Sequence, residues 1–174
     1  MTAASALTIG AQQEPAGNLL ALALGVIGMG VGIAALLLLC AVAFPRLVAR
    51  AQRNAEQMPW RALLVGLINL AFFGLIATAL LSGDEGARLL GLLVATLLLS
   101  FVALGLAAVA RLLGARLRPG EPGSARSLLA GALTLELAAL VPLVGWFAVP
   151  ALAGLLGYGA VVIALVRRRD VPEQ

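Results

Sequence analysis

Glu136 is the side chain with the clearest chemical potential, because it is the only acidic residue within the apolar run from Leu128 to Val166. An ionisable group at membrane depth is costly unless it is neutralised or paired. We therefore expect a protonated Glu136 that hydrogen-bonds a neighbouring helix. Two other roles stay open, namely a proton- or ion-coupled site and a solvated site at a subunit interface.

Three further polar residues are predicted to lie at a similar depth in the membrane. Counted from the arginine-rich end of each apolar run at about 1.5 Å per residue, Glu136, Asn69 and Tyr158 lie roughly 10–12 Å deep. Ser100 lies a little deeper. The counting therefore predicts an intramembrane polar layer of Asn69, Ser100, Glu136 and Tyr158. A transporter normally needs more than one such carboxylate, whereas this layer contains one.

The composition removes most other chemistry. The chain has no histidine, no lysine and one cysteine, so imidazole bases, Schiff bases and internal disulfides are excluded. The sequence also contains no nucleophile–base pair, metal-ligand cluster or phosphate-binding loop. We therefore expect no enzymatic activity, no metal and no cofactor. Cys40 is expected to be a small apolar side chain, with palmitoylation as the alternative.

The overall composition predicts the class of protein. Hydrophobic residues make up 62% and charged residues 11% of the 174 residues, and the mean hydropathy is +1.07. Soluble domains are about half apolar and about a quarter charged. The sequence therefore predicts an all-α integral membrane helical bundle, with three spanning helices plus a C-terminal helical hairpin, giving four to five membrane helices.

Apolar runs place these helices. The three spanning helices correspond to Leu19–Phe44, Ala62–Leu81 and Leu89–Ala110. No basic residue precedes the first run, which indicates a spanning helix rather than a cleaved signal peptide. Residues 46–61 form an amphipathic segment that we expect on the inner membrane surface. The predicted organisation is a polar tail at 1–17, a single transmembrane domain at 18–166 and a basic tail at 167–174.

The last apolar run is too long for one span. Pro142, Gly145 and Pro150 interrupt it, which predicts a hairpin with arms at Leu128–Leu140 and Ala151–Val166. Its apex is expected near the outer interface, anchored by Trp146.

The arginines predict the orientation. All twelve basic residues are arginines, and eleven flank the predicted inner ends of the helices. This positive-inside distribution places the N-terminus outside and the C-terminus in the cytoplasm, and it favours contact with anionic lipids. Nucleic-acid binding is not expected, because no aromatic residues interleave with the arginines. The eleven are Arg46, Arg50, Arg53, Arg61, Arg111, Arg116, Arg118, Arg126, Arg167, Arg168 and Arg169.

Glycines mark the expected helix-packing faces. Gly28 and Gly32 form a GxxxG step in the first helix, which serves either packing within the chain or contact between subunits. Gly154, Gly157 and Gly159 surround Tyr158. We expect these three to let the two hairpin arms pack closely.

Three motifs carry a resemblance to a known family: PWRALLVG at 59–66, PLVGW at 142–146 and GLLGYGA at 154–160. Over roughly residues 20–166, the chain resembles the multi-pass membrane module of bacterial polymer-forming, bactofilin-like proteins. It departs from them in lacking the alternating pattern of their β-helical domain. The resemblance implies a bacterial inner-membrane module with an anchoring or assembly role, and no catalytic residues to carry over.

The expected function is that of a non-catalytic scaffold or accessory subunit of a membrane complex, which includes respiratory and photosynthetic complexes. The expected partners are the bilayer with its anionic lipids and either further copies of the chain or a larger membrane-protein complex. The alternative is a small transporter, channel or lipid-handling protein that works through Glu136.

Overall fold

The computed structural model describes residues 15–141 and 144–167, which are almost entirely helical and contain no strand. A π-helical turn, Val144–Ala148, lies between the last two of six α-helices. The α-helices are α1 (Pro15–Ala43), α2 (Pro45–Gln57), α3 (Pro59–Leu81), α4 (Glu85–Leu117), α5 (Ala125–Ala139) and α6 (Val149–Val166).

Four helices are long and apolar enough to cross a membrane: α1, α3, α4 and α6. Helix α5 has 15 residues. At about 1.5 Å per residue it is shorter than a hydrocarbon core of roughly 30 Å. The protein is therefore a multi-pass helical membrane protein, and the predicted fold class is confirmed.

The chain divides into two compact units, residues 1–33 and residues 34–174. The described part of the first unit, residues 15–33, is the N-terminal part of α1, in which large apolar side chains such as Leu22 and Met29 are exposed. The second unit contains all the other helices. Most of the predicted tails, including Arg168 and Arg169, lies outside the described residues.

Local capping explains where several helices begin. Proline occupies the first turn of α2, α3 and α6, where its missing N–H costs no helical hydrogen bond. The Asp84 carboxylate accepts a hydrogen bond from the Ala87 amide at 3.1 Å at the start of α4. The Ser124 hydroxyl accepts one from the Ser127 amide at 3.0 Å at the start of α5. These side chains satisfy amides that the helices leave unpaired.

Helix α2 packs its apolar face against other helices of the chain. Its apolar residues Val48, Ala51 and Ala55 are at most 2% exposed, because α2 packs against α4 and α6. The Asn54 side-chain amide also donates a 3.3 Å hydrogen bond to the Ala160 carbonyl in α6. The apolar face is therefore covered by protein instead of lipid. Because the side chains of Val48, Ala51 and Ala55 are small, α2 can pack closely against α4 and α6.

The last two helices form the predicted hairpin. Helix α5 runs antiparallel to α4, because Ser127 lies against Gly114 and Gly131 lies against Ala110. Helix α6 runs parallel to α4, because Gly154 lies near Val102 and Gly157 lies against Gly105. The two arms are therefore antiparallel to each other.

The hairpin arms lie on opposite sides of α4. Gly105, which contacts α6, and Gly114, which contacts α5, are nine residues apart and point about 180° apart around the helix. At the turn between the arms, a Cβ atom on Gly145 would lie 2.8 Å from the Ala139 carbonyl oxygen, so a side chain does not fit. The predicted apex residue Pro142 and the side chain of Trp146, the predicted anchor, lie outside the described part of the chain.

Candidate functional site

Glycines let the backbones of α3 and α6 touch. A Cβ atom on Gly159 would overlap the Ala62 carbonyl oxygen and lie 2.6 Å from the Gly66 amide nitrogen. A Cβ atom on Gly66 would in turn overlap the Leu155 carbonyl oxygen. The two helices are antiparallel, since Ala62 and Gly66 meet α6 in reverse order. Only glycine at these positions allows the backbones of α3 and α6 to lie so close together.

Helix α4 makes similar contacts on both of its sides. Towards α6, a Cβ atom on Gly105 would lie 2.7 Å from the Gly157 carbonyl oxygen. Towards α5, a Cβ atom on Gly131 would lie 2.7 Å from the Gly114 amide nitrogen. Glycines thus bring the backbones together at three interfaces of the second unit, α3–α6, α4–α6 and α4–α5.

The partner predicted for the α6 glycines was wrong. Gly157 contacts α4 and Gly159 contacts α3, whereas we expected both to contact the other hairpin arm. Gly154 has only an ordinary contact, because its Cβ atom would lie 3.8 Å from Val102 Cγ1. Because α4 separates the arms, the glycines of α6 face other helices.

Gly28 and Gly32 lie in the first unit, on α1. Both are exposed, and a Cβ atom on either would meet nothing within 4 Å. The space at both Cβ positions is therefore open. Its two predicted roles therefore remain predictions.

Sequence analysis missed the most important glycines, although a signal for them is present. The signal is a pair of small residues four positions apart, which marks close helix contacts in membranes. Such pairs occur at Ala62/Gly66, Ala110/Gly114 and Ser127/Gly131.

Glu136 and Tyr158 lie at one level of the bundle. Gly105 contacts Tyr158, and Glu136 is five residues beyond Gly131, which contacts Ala110. In an antiparallel pair this places Glu136 opposite Gly105. Glu136 is half-buried, and its Oε1 atom is buried without a hydrogen-bond partner in the described ranges.

Asn69 and Ser100 lie at a second level. The α4–α6 register places Ser100 near Leu152, and the α3–α6 register places Asn69 there as well. Leu152 is six residues from Tyr158, which corresponds to about 9 Å along the helix. The four residues are therefore not brought into one layer. The depth count failed because the helices do not begin at a common level; α4, for example, continues seven residues beyond Ala110.

The side chains of Asn69 and Ser100 also form their hydrogen bonds away from the other predicted residues. The Asn69 side chain donates to the Val65 carbonyl at 3.2 Å, and the Ser100 hydroxyl donates to the Thr96 carbonyl at 2.8 Å. Both bonds stay within one helix. No direct hydrogen bond joins two of the four predicted residues in the part of the chain that is described.

The arginines are concentrated at one end of the bundle. Arg46, Arg50 and Arg53 share one face of α2, at spacings of four and three residues. Arg111 and Arg116 lie in the last two turns of α4, while Arg61 lies in the first turn of α3. The remaining described arginines of this end are Arg118, Arg126 and Arg167. Arg88 lies at the opposite end, where its Nε atom donates to the Gly83 carbonyl at 3.1 Å.

No known protein family, curated protein or solved structure matches the chain. The fold and composition define its class as a multi-pass helical membrane protein. The resemblance to the bactofilin-like membrane module stays a prediction.

Proposed function

We propose that the protein is a non-catalytic scaffold or accessory subunit of a membrane complex in the bacterial inner membrane. The observation that carries this proposal is the glycine-mediated contact of backbones at the α3–α6, α4–α6 and α4–α5 interfaces. Such packing makes a closed, rigid bundle. A moving transport pathway would instead need a connected set of polar groups, and the four polar residues are split between two levels.

The exposed first half of α1 supplies a surface for a partner. Its large apolar side chains are exposed, and those of Leu24 and Ile27 are more than 60% exposed. Gly28 and Gly32 would let a partner helix approach closely. The partner is either a second copy of the chain or a larger membrane protein, which includes subunits of respiratory and photosynthetic complexes.

The proposed orientation places the N-terminus outside and the C-terminus in the cytoplasm. The clustering of the described arginines at one end of the bundle supports it through the positive-inside rule. Cysteine substitutions at two glycines test this orientation. A Cβ atom on either Gly86 or Gly120 meets nothing within 4 Å, so both positions accept a side chain. In a Cys40→Ala background, an impermeant maleimide added to intact spheroplasts should label Gly86→Cys but not Gly120→Cys. The reverse labelling would contradict the orientation.

Native mass spectrometry from nanodiscs tests the scaffold role. We expect a stoichiometric complex for the unchanged protein and its loss in the Gly28→Leu/Gly32→Leu variant. The matched control is Gly74→Leu, which also has open space at the Cβ position but lies on α3. Should the purified protein be a monomer, or should both variants keep the complex, the proposed scaffold face would be rejected.

The alternative is a small transporter, channel or lipid-handling protein, and the buried, unpartnered Oε1 atom of Glu136 is the observation that favours it. Glu136→Gln keeps the shape of the side chain and removes its charge. A scaffold should keep its complex and its function after this change. A proton-coupled transporter should lose liposome flux while its thermal stability is retained.

A further inference from the structure

Four arginines line one cleft at the arginine-rich end of the bundle. The cleft has a volume of about 370 Å³ and is lined by Pro45, Arg46, Ala49, Arg50, Arg53 and Arg111. Arg46, Arg50 and Arg53 lie on the face of α2 opposite its buried residues. Arg111 reaches the cleft from α4, so two helices that are distant in sequence build it.

None of these four guanidinium groups has a partner in the described ranges. Four other arginines have one: Arg88 donates to Gly83, Arg118 pairs with Glu121 at 3.9 Å, and Arg61 and Arg167 contact Met58 Sδ. Arg116 and Arg126 are exposed and lie outside the cleft. The Nε atom of Arg111 is moreover buried and makes no hydrogen bond to the described residues. A buried, unpaired donor of a charged group is unfavourable, which indicates that an anion completes the site.

The position of the cleft indicates the source of the anion. Arg111 directly follows the apolar run Leu89–Ala110, and Arg46 follows the run that ends at Phe44. Arginines that directly follow apolar runs are expected at the boundary between the hydrocarbon core and the phosphate layer, and we place both of them there. The cleft also contains the first turn of α2, the positive end of a 13-residue helix.

We propose that this cleft binds the phosphate group of an anionic phospholipid headgroup. Guanidinium groups donate paired hydrogen bonds to phosphate oxygens, and four of them around one cleft favour a group with net negative charge. The three arginines of α2 repel one another along its face, and a bound phosphate removes that repulsion. The inference rests on the proposed function only in placing this end of the bundle at the membrane surface.

Native mass spectrometry of the full-length protein in detergent tests the proposal. The probes are phosphatidylglycerol, phosphatidylcholine and inorganic phosphate. We expect phosphatidylglycerol to bind at least tenfold more tightly than phosphatidylcholine, whose headgroup carries a compensating cation. Since an arginine near an anionic surface contributes about a fivefold change in affinity, Arg50→Gln/Arg111→Gln should weaken phosphatidylglycerol binding about 25-fold.

The matched control is Arg116→Gln/Arg126→Gln, which removes the same charge from exposed positions outside the cleft. It should change the affinity less than threefold. A second cleft pair, Arg46→Gln/Arg50→Gln, leaves α4 unchanged and should also weaken binding about 25-fold.

Three outcomes would overturn the proposal. Equal losses in the cleft and control pairs would mean that diffuse charge attracts the lipid. Equal binding of phosphatidylcholine would remove the requirement for an anionic headgroup. Displacement of phosphatidylglycerol by an equimolar amount of inorganic phosphate would assign the cleft to a free anion. If a cleft variant loses the lipid but keeps the partner complex, lipid binding at the cleft is independent of partner binding at the Gly28/Gly32 surface of α1.

Discussion

Replacing Gly159 by alanine tests the close packing of α3 and α6. The new Cβ atom would overlap the Ala62 carbonyl oxygen and lie 2.6 Å from the Gly66 amide nitrogen. An ordinary contact needs about 3.5 Å, so the Gly66 contact alone requires the helices to separate by about 1 Å, and the overlap with Ala62 requires more. Overpacking of this kind costs about 1–3 kcal/mol, and a gap of this size also removes up to half of the local dispersion energy. We expect Gly159→Ala to lower the free energy of unfolding by about 2–3 kcal/mol.

The assay is reversible unfolding by SDS in mixed micelles, followed by tryptophan fluorescence. Gly154→Ala is the matched control on the same helix, because its Cβ atom has only a 3.8 Å contact with Val102. The control should be neutral or stabilising by up to about 1 kcal/mol, since alanine favours helix more than glycine does. The reasoning is refuted if the two variants are equally stable.

A double variant refines this test. Gly66→Ala also requires α3 and α6 to separate, because its Cβ atom would overlap the Leu155 carbonyl oxygen. One separation accommodates both methyl groups, so Gly66→Ala/Gly159→Ala should destabilise the protein by less than the sum of the single changes. Strict additivity would show that the two glycines act at independent contacts.

Two further predictions concern single hydrogen bonds that position helices. Asn54→Ala removes the 3.3 Å bond to the Ala160 carbonyl and should lower the free energy of unfolding by about 1 kcal/mol, measured in the same SDS assay; a loss no larger than that of Gln52→Ala would contradict a role for the bond. Ser124→Ala removes the cap of α5 and should cost about 1 kcal/mol, whereas Ser124→Asp keeps an acceptor and should retain stability. If the aspartate variant is as unstable as the alanine variant, the cap does not contribute.

The sequence was sufficient for the order of the membrane helices and for a number of four to five, of which four are long enough to span. A backbone inside lipid must satisfy its own hydrogen bonds, so each long apolar run becomes a helix. The interruption at Pro142, Gly145 and Pro150 likewise predicted the hairpin, whose antiparallel arms the structure contains. The arginines flanking the runs predicted which helix ends lie together, and the structure places the described ones accordingly.

Helix neighbours could not be predicted in this way. In a soluble bundle an apolar stripe identifies the buried face, but membrane helices are apolar on all sides. The hydrophobic pattern of α4 therefore did not reveal that α5 and α6 lie on opposite sides of it. The lack of a side chain at Gly105 and Gly114 determines which sides of α4 contact α6 and α5.

For the candidate sites, too, the sequence predicted one part and the tertiary structure decided the rest. The sequence identified Glu136 and the arginines individually, because a charge in or beside an apolar run is conspicuous. Only the tertiary structure places Arg111 beside the arginines of α2 and separates Asn69 from Tyr158. Both results depend on how far each helix extends and where it contacts its neighbour, because these contacts set the relative heights of residues that are far apart in sequence.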